Sequence, residues 1–281
     1  MNKVIAGFLA LSTLIATPAF AADVAVKAAP PAAAAAAHSW TGWYVGANAG
    51  YGWGDPRGDT ALTGLGAGAG GLLITPAAIS HSDPLRFDGA VGGFQAGYDW
   101  QAWNRWVAGI EADWQATSEN ASQHYFDPYN FIMTPLGLGT GTATTDYKAS
   151  ILWFGTVRGR VGYAWDDRLL LYATGGLAYG RVRLSGTVND SGSAGLIPPF
   201  VTSYSGTSSF GAAQTRTGWT AGGGIEGALI DNWTWKAEYL YVDLGAMNTT
   251  GAGPFTGETI ALHAKFTDNI VRAGLNFRLG P

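Results

Sequence analysis

The stretch Trp43-Tyr44-Val45-Gly46-Ala47-Asn48-Ala49-Gly50-Tyr51-Gly52-Trp53 decides the fold class. Its odd positions are apolar or aromatic, whereas its even positions are mostly Gly, with one Tyr and one Asn. Strict alternation of this kind predicts a β-strand with two unlike faces. The same period recurs in seven later segments, which predict further strands at 87–100, 106–116, 148–163, 169–184, 217–229, 233–244 and 266–279.

The composition excludes several classes of protein. Only 13% of the 281 residues are charged, whereas about 25% is usual, and 42 are Gly. The 16 Lys and Arg residues are balanced by 20 Asp and Glu residues without a basic run, which argues against nucleic-acid binding. The chain has no Cys, so disulfides, thiolate metal sites and cysteine catalysis are excluded.

The N-terminal segment predicts export. Lys3, the apolar run 4–15 and the small residues of Ala19-Phe20-Ala21 are typical of a signal peptide over residues 1–21, cleaved after Ala21. The run is shorter than the ~20 residues of a membrane-spanning helix, which argues against an uncleaved anchor. Residues 22–39, rich in Ala and Pro, predict a flexible periplasmic tether, and residues 40–279 are predicted to form the β-domain.

The connections between the predicted strands alternate in length. Long gaps at 55–86, 117–147, 185–216 and 245–265 alternate with short gaps at 101–105, 164–168 and 230–232. Long external loops and short periplasmic turns are typical of outer-membrane barrels, and the aromatic residues gather near both strand ends. The sequence therefore predicts an all-β fold, an eight-stranded antiparallel up-and-down transmembrane β-barrel. A secreted soluble β-sandwich that binds ligands stays open as an alternative.

Four segments together carry a family resemblance. They are 39–53, 171–180, 233–244 and 269–278, and in this order they resemble strands of the small porin-family outer-membrane proteins of alpha-proteobacteria, which include surface antigens and hemin-binding proteins. The resemblance implies a Gram-negative cell envelope protein in the outer membrane, in contact with lipid and lipopolysaccharide and inserted by the barrel-assembly machinery. Family members usually end on an aromatic residue; here Phe277 and Leu279 would form the C-terminal assembly signal, with Gly280 and Pro281 beyond it.

The polar faces of the predicted strands carry charges of both signs. An eight-stranded barrel is just wide enough for side chains to fill its interior, and unpaired charges there are costly. We therefore expect a paired salt-bridge network in the lumen, formed by Glu111, Asp113, Arg158, Arg160, Glu226, Lys236, Glu238, Arg272 and Arg278. Such a network favours a non-enzymatic protein that supports envelope integrity and presents surface loops. A narrow channel for ions or small solutes is the alternative.

Two arginines continue the lipid-facing side of the strand 169–184. Arg181 and Arg183 share the parity of Leu169, Leu171 and Leu177, and Arg181 lies twelve residues beyond Leu169. Because a tilted spanning strand uses about 9–11 residues, both should emerge just above the external aromatic residues. Their guanidinium groups suit bidentate contact with lipopolysaccharide phosphate.

The sequence offers no catalytic, metal or cofactor site. The spacing of the histidines indicates neither a catalytic triad nor a metal pair, and they are interpreted as solvated residues of the tether and loops; they are His38, His81, His124 and His263. Two G-x-G-x-x-G matches, at 66–71 and 222–227, do not open a helix within a strand-helix-strand unit, so they do not indicate a nucleotide site. The oligomeric state is not predicted.

Overall fold

The computed structural model describes residues 38–69, 73–75, 77–102, 105–133, 137–166, 168–195 and 201–279. The predicted signal peptide, almost all of the predicted tether, and Gly280 and Pro281 lie outside the described residues. Within these ranges the chain forms twelve strands and a short 3-10 helix, Ala67–Ala69; the strands are β1 (Gly42–Gly54), β2 (Arg57–Leu65), β3 (Leu73–Thr75), β4 (Ala77–Pro84), β5 (Phe87–Ala102), β6 (Trp106–Thr117), β7 (Asn120–Met133), β8 (Gly137–Asp166), β9 (Leu169–Gly195), β10 (Val201–Ala228), β11 (Trp233–Ala252) and β12 (Thr259–Arg278). The all-β prediction is confirmed. No helix in the described ranges is long and apolar enough to cross a membrane.

Eight of these strands pair in a circuit that returns to its start. β1 pairs with β5, the pairing continues through β6, β8, β9, β10, β11 and β12, and β12 pairs with β1. Every pairing is antiparallel, and each predicted strand matches part of one of these strands to within one residue. The predicted short connections also occur: Asp231, in the turn between β10 and β11, has a φ of 51°, a left-handed conformation that Asp tolerates.

The predicted long loops are largely strands, so the prediction of only eight strands with four loops was wrong for the described residues. β8, β9 and β10 have 30, 27 and 28 residues, far more than a spanning strand needs. β2 pairs with β12 and β4, and β7 pairs with β8. We call the part of the structure on the side of the predicted long loops the extension, and we call this side the upper side. The described residues of the extension fall within 55–86, 117–150, 184–216 and 245–267.

The extension forms because the alternation of buried and outward residues continues beyond the aromatic residues. On β9, for example, Leu184 and Val188 are almost fully buried while Ser185 and Thr187 face outward. Together with aromatic residues from β5, β7 and β12, these side chains belong to one apolar core that fills the extension and reaches into the adjoining end of the eight-strand circuit. Buried apolar surface supplies the main driving force for ordering such strands. Side chains also join β4 to β7, where the His81 and Tyr125 rings stack at 4.0 Å.

The outward face of the eight-strand circuit is apolar. Ile110, Val157 and Leu177 are each more than half exposed, and the residues that face them on neighbouring strands are apolar, aromatic or Gly. Exposed aromatic residues lie at both ends of this band: Trp43, Trp100, Trp106 and Trp233 at the end with short turns, and Trp53, Trp114 and Trp219 at the end next to the extension. A band of this kind between two aromatic girdles is typical of membrane-spanning barrels.

A β-bulge changes the parity of β8. The register against β9 shifts between Ile151 and Trp153, so that Trp153 faces outward while Ile151 is 2% exposed and lies in the core. An extra residue in one strand of an antiparallel pair has this effect. Strict alternation along the predicted strand 148–163 would place Ile151 on the outward face with Trp153, and the bulge is the reason that it lies in the core instead.

Candidate functional site

The interior of the circuit holds a dense set of charged side chains, which we call the lumen network. It contains five acids and five bases, none more than 5% exposed: Asp99, Glu111, Asp113, Glu226, Glu238, Arg158, Arg160, Lys236, Arg272 and Arg278. All nine residues that the sequence analysis assigned to the lumen are therefore buried in one place. Asp99 joins them from β5.

The half of the lumen network nearer the extension, which we call the upper half, is centred on Arg158 and Arg272. Arg158 donates to Glu238 at 2.9 Å and to Asp113 at 3.2 Å, and it also pairs with Glu111. Arg272 donates to Glu238 at 2.7 Å and to Asp113 at 2.8 Å. Each guanidinium therefore contacts several carboxylates, and this sharing offsets the desolvation of the charged groups.

The lower half is centred on Glu111 and Glu226. Glu111 accepts hydrogen bonds from Lys236 at 2.9 Å and from the Tyr44 hydroxyl at 2.7 Å. Glu226 accepts from Arg160 at 2.8 Å, and the Arg160 guanidinium lies 4.2 Å from the centre of the Tyr172 ring.

Strand register explains much of this pairing. Three pairs of opposite charge occupy directly facing positions on neighbouring strands: Glu111 with Arg158, Glu226 with Lys236, and Glu238 with Arg272. The first and third pairs bond directly, whereas Lys236 bonds to Glu111 instead of Glu226. Facing residues of an antiparallel pair are close enough for their side chains to interact. Asp99 differs because its partner Arg278, at 2.8 Å, lies two strands away on β12.

Trp40 closes the end of the interior that carries the short turns. Its side chain is fully buried among Val107, Leu170 and Tyr172. Arg278 donates to the Trp40 carbonyl oxygen at 2.7 Å, and its guanidinium lies 5.0 Å from the centre of the Trp40 ring. The apolar core of the extension covers the other end of the lumen network. The described side chains thus fill the interior at both ends.

Sequence reasoning missed several uncharged partners of the lumen network. Tyr44 and Tyr172 are nearly fully buried and bond to its carboxylates, and Gln95 donates to Asn276 at 2.7 Å. Their parity was a usable signal, because each lies on the same strand face as the buried charges. Asp99 could have been found in the same way, since Gln95, Gly97 and Asp99 share one face of β5.

The remaining predicted site residues lie on the outward surface. The structure places Arg181 and Arg183 exposed on β9, opposite Trp153 and Ser150 of β8. Phe277 packs against Trp233, with ring centres 5.2 Å apart. Leu279 is 60% exposed, and its backbone N–H donates to the Trp43 carbonyl oxygen at 2.9 Å.

The histidines of the predicted loops lie instead on strands, which corrects their assignment. His81 is on β4, His124 on β7 and His263 on β12. His81 bonds to Asp127 at 3.0 Å, and His124 bonds to Asp146 at 2.6 Å. In the part of the chain that the structure describes, no three His, Asp or Glu side chains are grouped so that they could hold a metal ion.

Apart from the lumen network, a pair of buried acids, Asp190 and Glu258, lies in the extension. Asp190 of β9 is fully buried and accepts a hydrogen bond from Tyr129 of β7, whose hydroxyl also lies 2.6 Å from that of Tyr204 on β10. Glu258, in the turn between β11 and β12, is 4% exposed. Burial and a hydrogen bond with Asp190 raise the pKa of Glu258 to about 8. Glu258 is therefore mostly protonated at neutral pH.

We expect this pair of acids to make the stability of the turn at 253–258 fall as pH rises from about 4.5 to about 8. Because the folded state raises the pKa of Glu258 from 4.5 to about 8, its contribution to stability is fully present below about pH 4.5 and is lost as pH rises towards about 8. Amide-exchange protection factors of residues 253 and 255–258, measured from pH 5 to pH 9, should fall as pH rises towards about 8 and then level off. Glu258→Gln should make the protection nearly independent of pH, whereas Asp55→Asn, at an exposed acid, should leave the decline unchanged. A decline that persists in Glu258→Gln would contradict the assignment.

Comparison with known proteins gives a consistent set of similarities. A family model described as an outer membrane protein beta-barrel domain matches residues 8–277. The 31 kDa outer-membrane immunogenic protein of Brucella melitensis biotype 1 is 36% identical over 281 aligned residues, covering 95% of this chain and 96% of that protein. The 22 kDa outer membrane protein of Rhizobium leguminosarum bv. viciae is 29% identical, with 74% of this chain and 65% of that protein covered.

Among solved structures, similarity is more distant. The crystal structure of Ail from Yersinia pestis aligns with a TM-score of 0.31 and 14% identity, over 84% of this chain and 99% of that chain. The family assignment therefore depends on the sequence matches. Because the family model spans nearly the whole sequence, this chain belongs to the outer membrane protein beta-barrel domain family and is an outer-membrane protein.

Proposed function

We propose that the protein is a non-enzymatic, eight-stranded transmembrane barrel that supports the envelope and presents its extension at the cell surface. The circuit β1-β5-β6-β8-β9-β10-β11-β12 would span the membrane, and β2, β3, β4 and β7 would belong to the external part. The apolar band and the two aromatic girdles support this placement. Location in the outer membrane rules out the secreted soluble β-sandwich considered above.

The observation that carries the proposal is the filled interior. Five acids and five bases are paired within the lumen network, and Trp40 and the apolar core of the extension cover its two ends. An ion following this path would have to displace charged groups that already have partners and then cross buried apolar side chains. This arrangement favours a structural role over the alternative of a narrow channel.

Surface presentation is supported by the size and burial of the extension. It is a set of long, paired strands with its own core, so it offers a fixed external surface. The Brucella relatives are named outer-membrane immunogenic proteins. We extend only the exposure implied by that name to this chain.

Planar-bilayer recording distinguishes the structural role from the channel. The purified protein should insert without steady single-channel currents, because its interior is filled, while a general porin in the same bilayer serves as the positive control. If inserted wild-type protein gives steady unitary currents, and Arg158→Ala or Glu238→Ala abolishes them, the proposal is wrong and the protein is a channel. Insertion would be verified by resistance of the spanning strands to protease.

A further inference from the structure

A basic cluster lies on the outward surface just above one aromatic girdle. It consists of Arg181 and Arg183 on β9 and Lys148 on β8, all exposed. Within the described ranges, none of the three takes part in an ion pair. Asp146, the acid two residues from Lys148 on the same strand face, is bonded to His124 at 2.6 Å. The cluster therefore presents three cations beside one acid, and its net charge is positive.

The height of the cluster matches the lipid headgroups. Arg181 faces Trp153 in the β8–β9 register, and the Trp153 ring lies 6.1 Å from that of Tyr179. Arg183 faces Ser150 and Lys148 faces Ser185, so the charges rise stepwise above the girdle. Each step of two residues is about 7 Å. At this interface a basic side chain costs little, and phosphate is the headgroup chemistry that its N–H donors suit.

Above the basic cluster, three neighbouring strands present a regular field of hydroxyl and amide groups, which we call the hydroxyl ladder. Its rows follow the strand register: Thr140, Ser193 and Ser203; Thr142, Ser191 and Ser205; Thr144, Asn189 and Thr207; Asp146, Thr187 and Ser209. Thr207 donates to Asn189 at 2.7 Å, and the Thr187 and Ser209 hydroxyls lie 3.1 Å apart. Each group can both donate and accept, apart from Asp146, which accepts only. The ladder therefore matches sugar hydroxyls rather than acyl chains.

We infer that the outward face of β8, β9 and β10 binds a phosphorylated glycolipid of the outer leaflet, with phosphate on the basic cluster and the sugar chain along the hydroxyl ladder. This inference extends the expectation for Arg181 and Arg183 by adding Lys148 and the ladder, and it rests on the proposed orientation of the barrel. The inference depends on the order in which groups follow one another up the outward surface. The apolar band, the aromatic girdle, the cations and the hydroxyl groups match, in this order, the acyl chains, the interface, the phosphate and the sugar of such a lipid.

The first test removes charge without touching the core. Detergent-solubilised wild type, Arg181→Gln/Arg183→Gln, and the matched control Arg57→Gln/Arg86→Gln would be titrated with purified lipopolysaccharide and with its dephosphorylated form. The control removes two exposed arginines from the opposite wall. We expect the Arg181/Arg183 variant to bind phosphorylated lipopolysaccharide about tenfold more weakly than wild type and the control variant. Dephosphorylated lipopolysaccharide should bind all three proteins equally weakly.

The second test separates the sugar from the phosphate. Thr187→Val/Thr207→Val should weaken binding of full-length lipopolysaccharide several-fold and leave binding of lipid A alone unchanged. Equal affinity of wild type and Arg181→Gln/Arg183→Gln for lipopolysaccharide would overturn the inference, as would full competition by millimolar inorganic phosphate, which would indicate a general anion site. If the inference fails, the proposed non-conducting barrel is unaffected. If the protein gives steady bilayer currents but still binds lipopolysaccharide as expected, only the proposed function is refuted.

Discussion

Replacing Arg158 with methionine is expected to lower the free energy of unfolding by about 3–5 kcal/mol. Arg158 contacts Glu111, Asp113 and Glu238, and its side chain is fully buried. Methionine fills a similar volume but leaves three buried carboxylates with one counter-charge fewer. Urea unfolding of vesicle-embedded protein, followed by tryptophan fluorescence, measures the loss. The temperature at which the protein shifts from its folded to its unfolded mobility in gel electrophoresis should fall in parallel.

Two further variants make the Arg158 experiment specific. Arg105→Met removes an exposed arginine near a short turn and should change the free energy of unfolding by less than about 0.5 kcal/mol. Arg158→Met/Glu238→Gln removes one charge of each sign and should recover part of the loss, because fewer carboxylates remain uncompensated. If Arg158→Met is as stable as wild type, the lumen network does not stabilise the barrel.

Replacing Phe131 with alanine is expected to destabilise the extension locally by about 3–5 kcal/mol while the eight-strand circuit stays intact. Phe131 is 1% exposed, lies 6.1 Å from the rings of Tyr129 and Tyr204, and belongs to the apolar core that joins β7 to β10. Hydrogen exchange should therefore accelerate in β7 and in the upper halves of β8, β9 and β10. On intact cells, added protease should cut these segments in the variant faster than in wild type.

Phe126 supplies the matched control for Phe131. It lies five residues earlier on β7, but its side chain is 66% exposed on the outward face. Phe126→Ala should leave both exchange and surface proteolysis close to wild type. If Phe131→Ala and wild type are equally protected from hydrogen exchange and from protease, the extension does not depend on its core. This result would also weaken the proposed surface role.

Alternation allowed the eight paired strands and the buried charges to be located from sequence, because a strand buries every second residue. Parity alone placed Glu111 and Arg158 on one face of their strands, and the structure brings them together. Parity could not reveal which charges pair across the interior, because that depends on register between strands distant in sequence. Arg278 and Asp99 are such a case.

The extension was missed because its sequence carries turn-like signals. β7 contains Pro128, and the buried side of β9 includes Gly186 and Gly192, residues that usually mark turns or weaken strands. These residues interrupt the apolar side of each strand, so the alternation of apolar and polar residues could not be recognised there. The bulge at Leu152 was equally hidden, since Ile151, Leu152 and Trp153 are all apolar and show no break in pattern.

The facing charges on neighbouring strands have a consequence for assembly. A lone Arg or Lys that faces lipid at the bilayer midplane costs about 2–4 kcal/mol, and a lone Asp or Glu costs less. In the proposed membrane-spanning barrel, the facing positions of Glu226 and Lys236 and of Glu238 and Arg272 would let β10, β11 and β12 enter the hydrocarbon layer as units without net charge at these sites, which would lower the barrier to insertion. Arg278 and Asp99 meet only when β12 docks on β1. In the proposed barrel, their ion pair would therefore form in the step that joins β12 to β1, and it would make reopening of that seam costly.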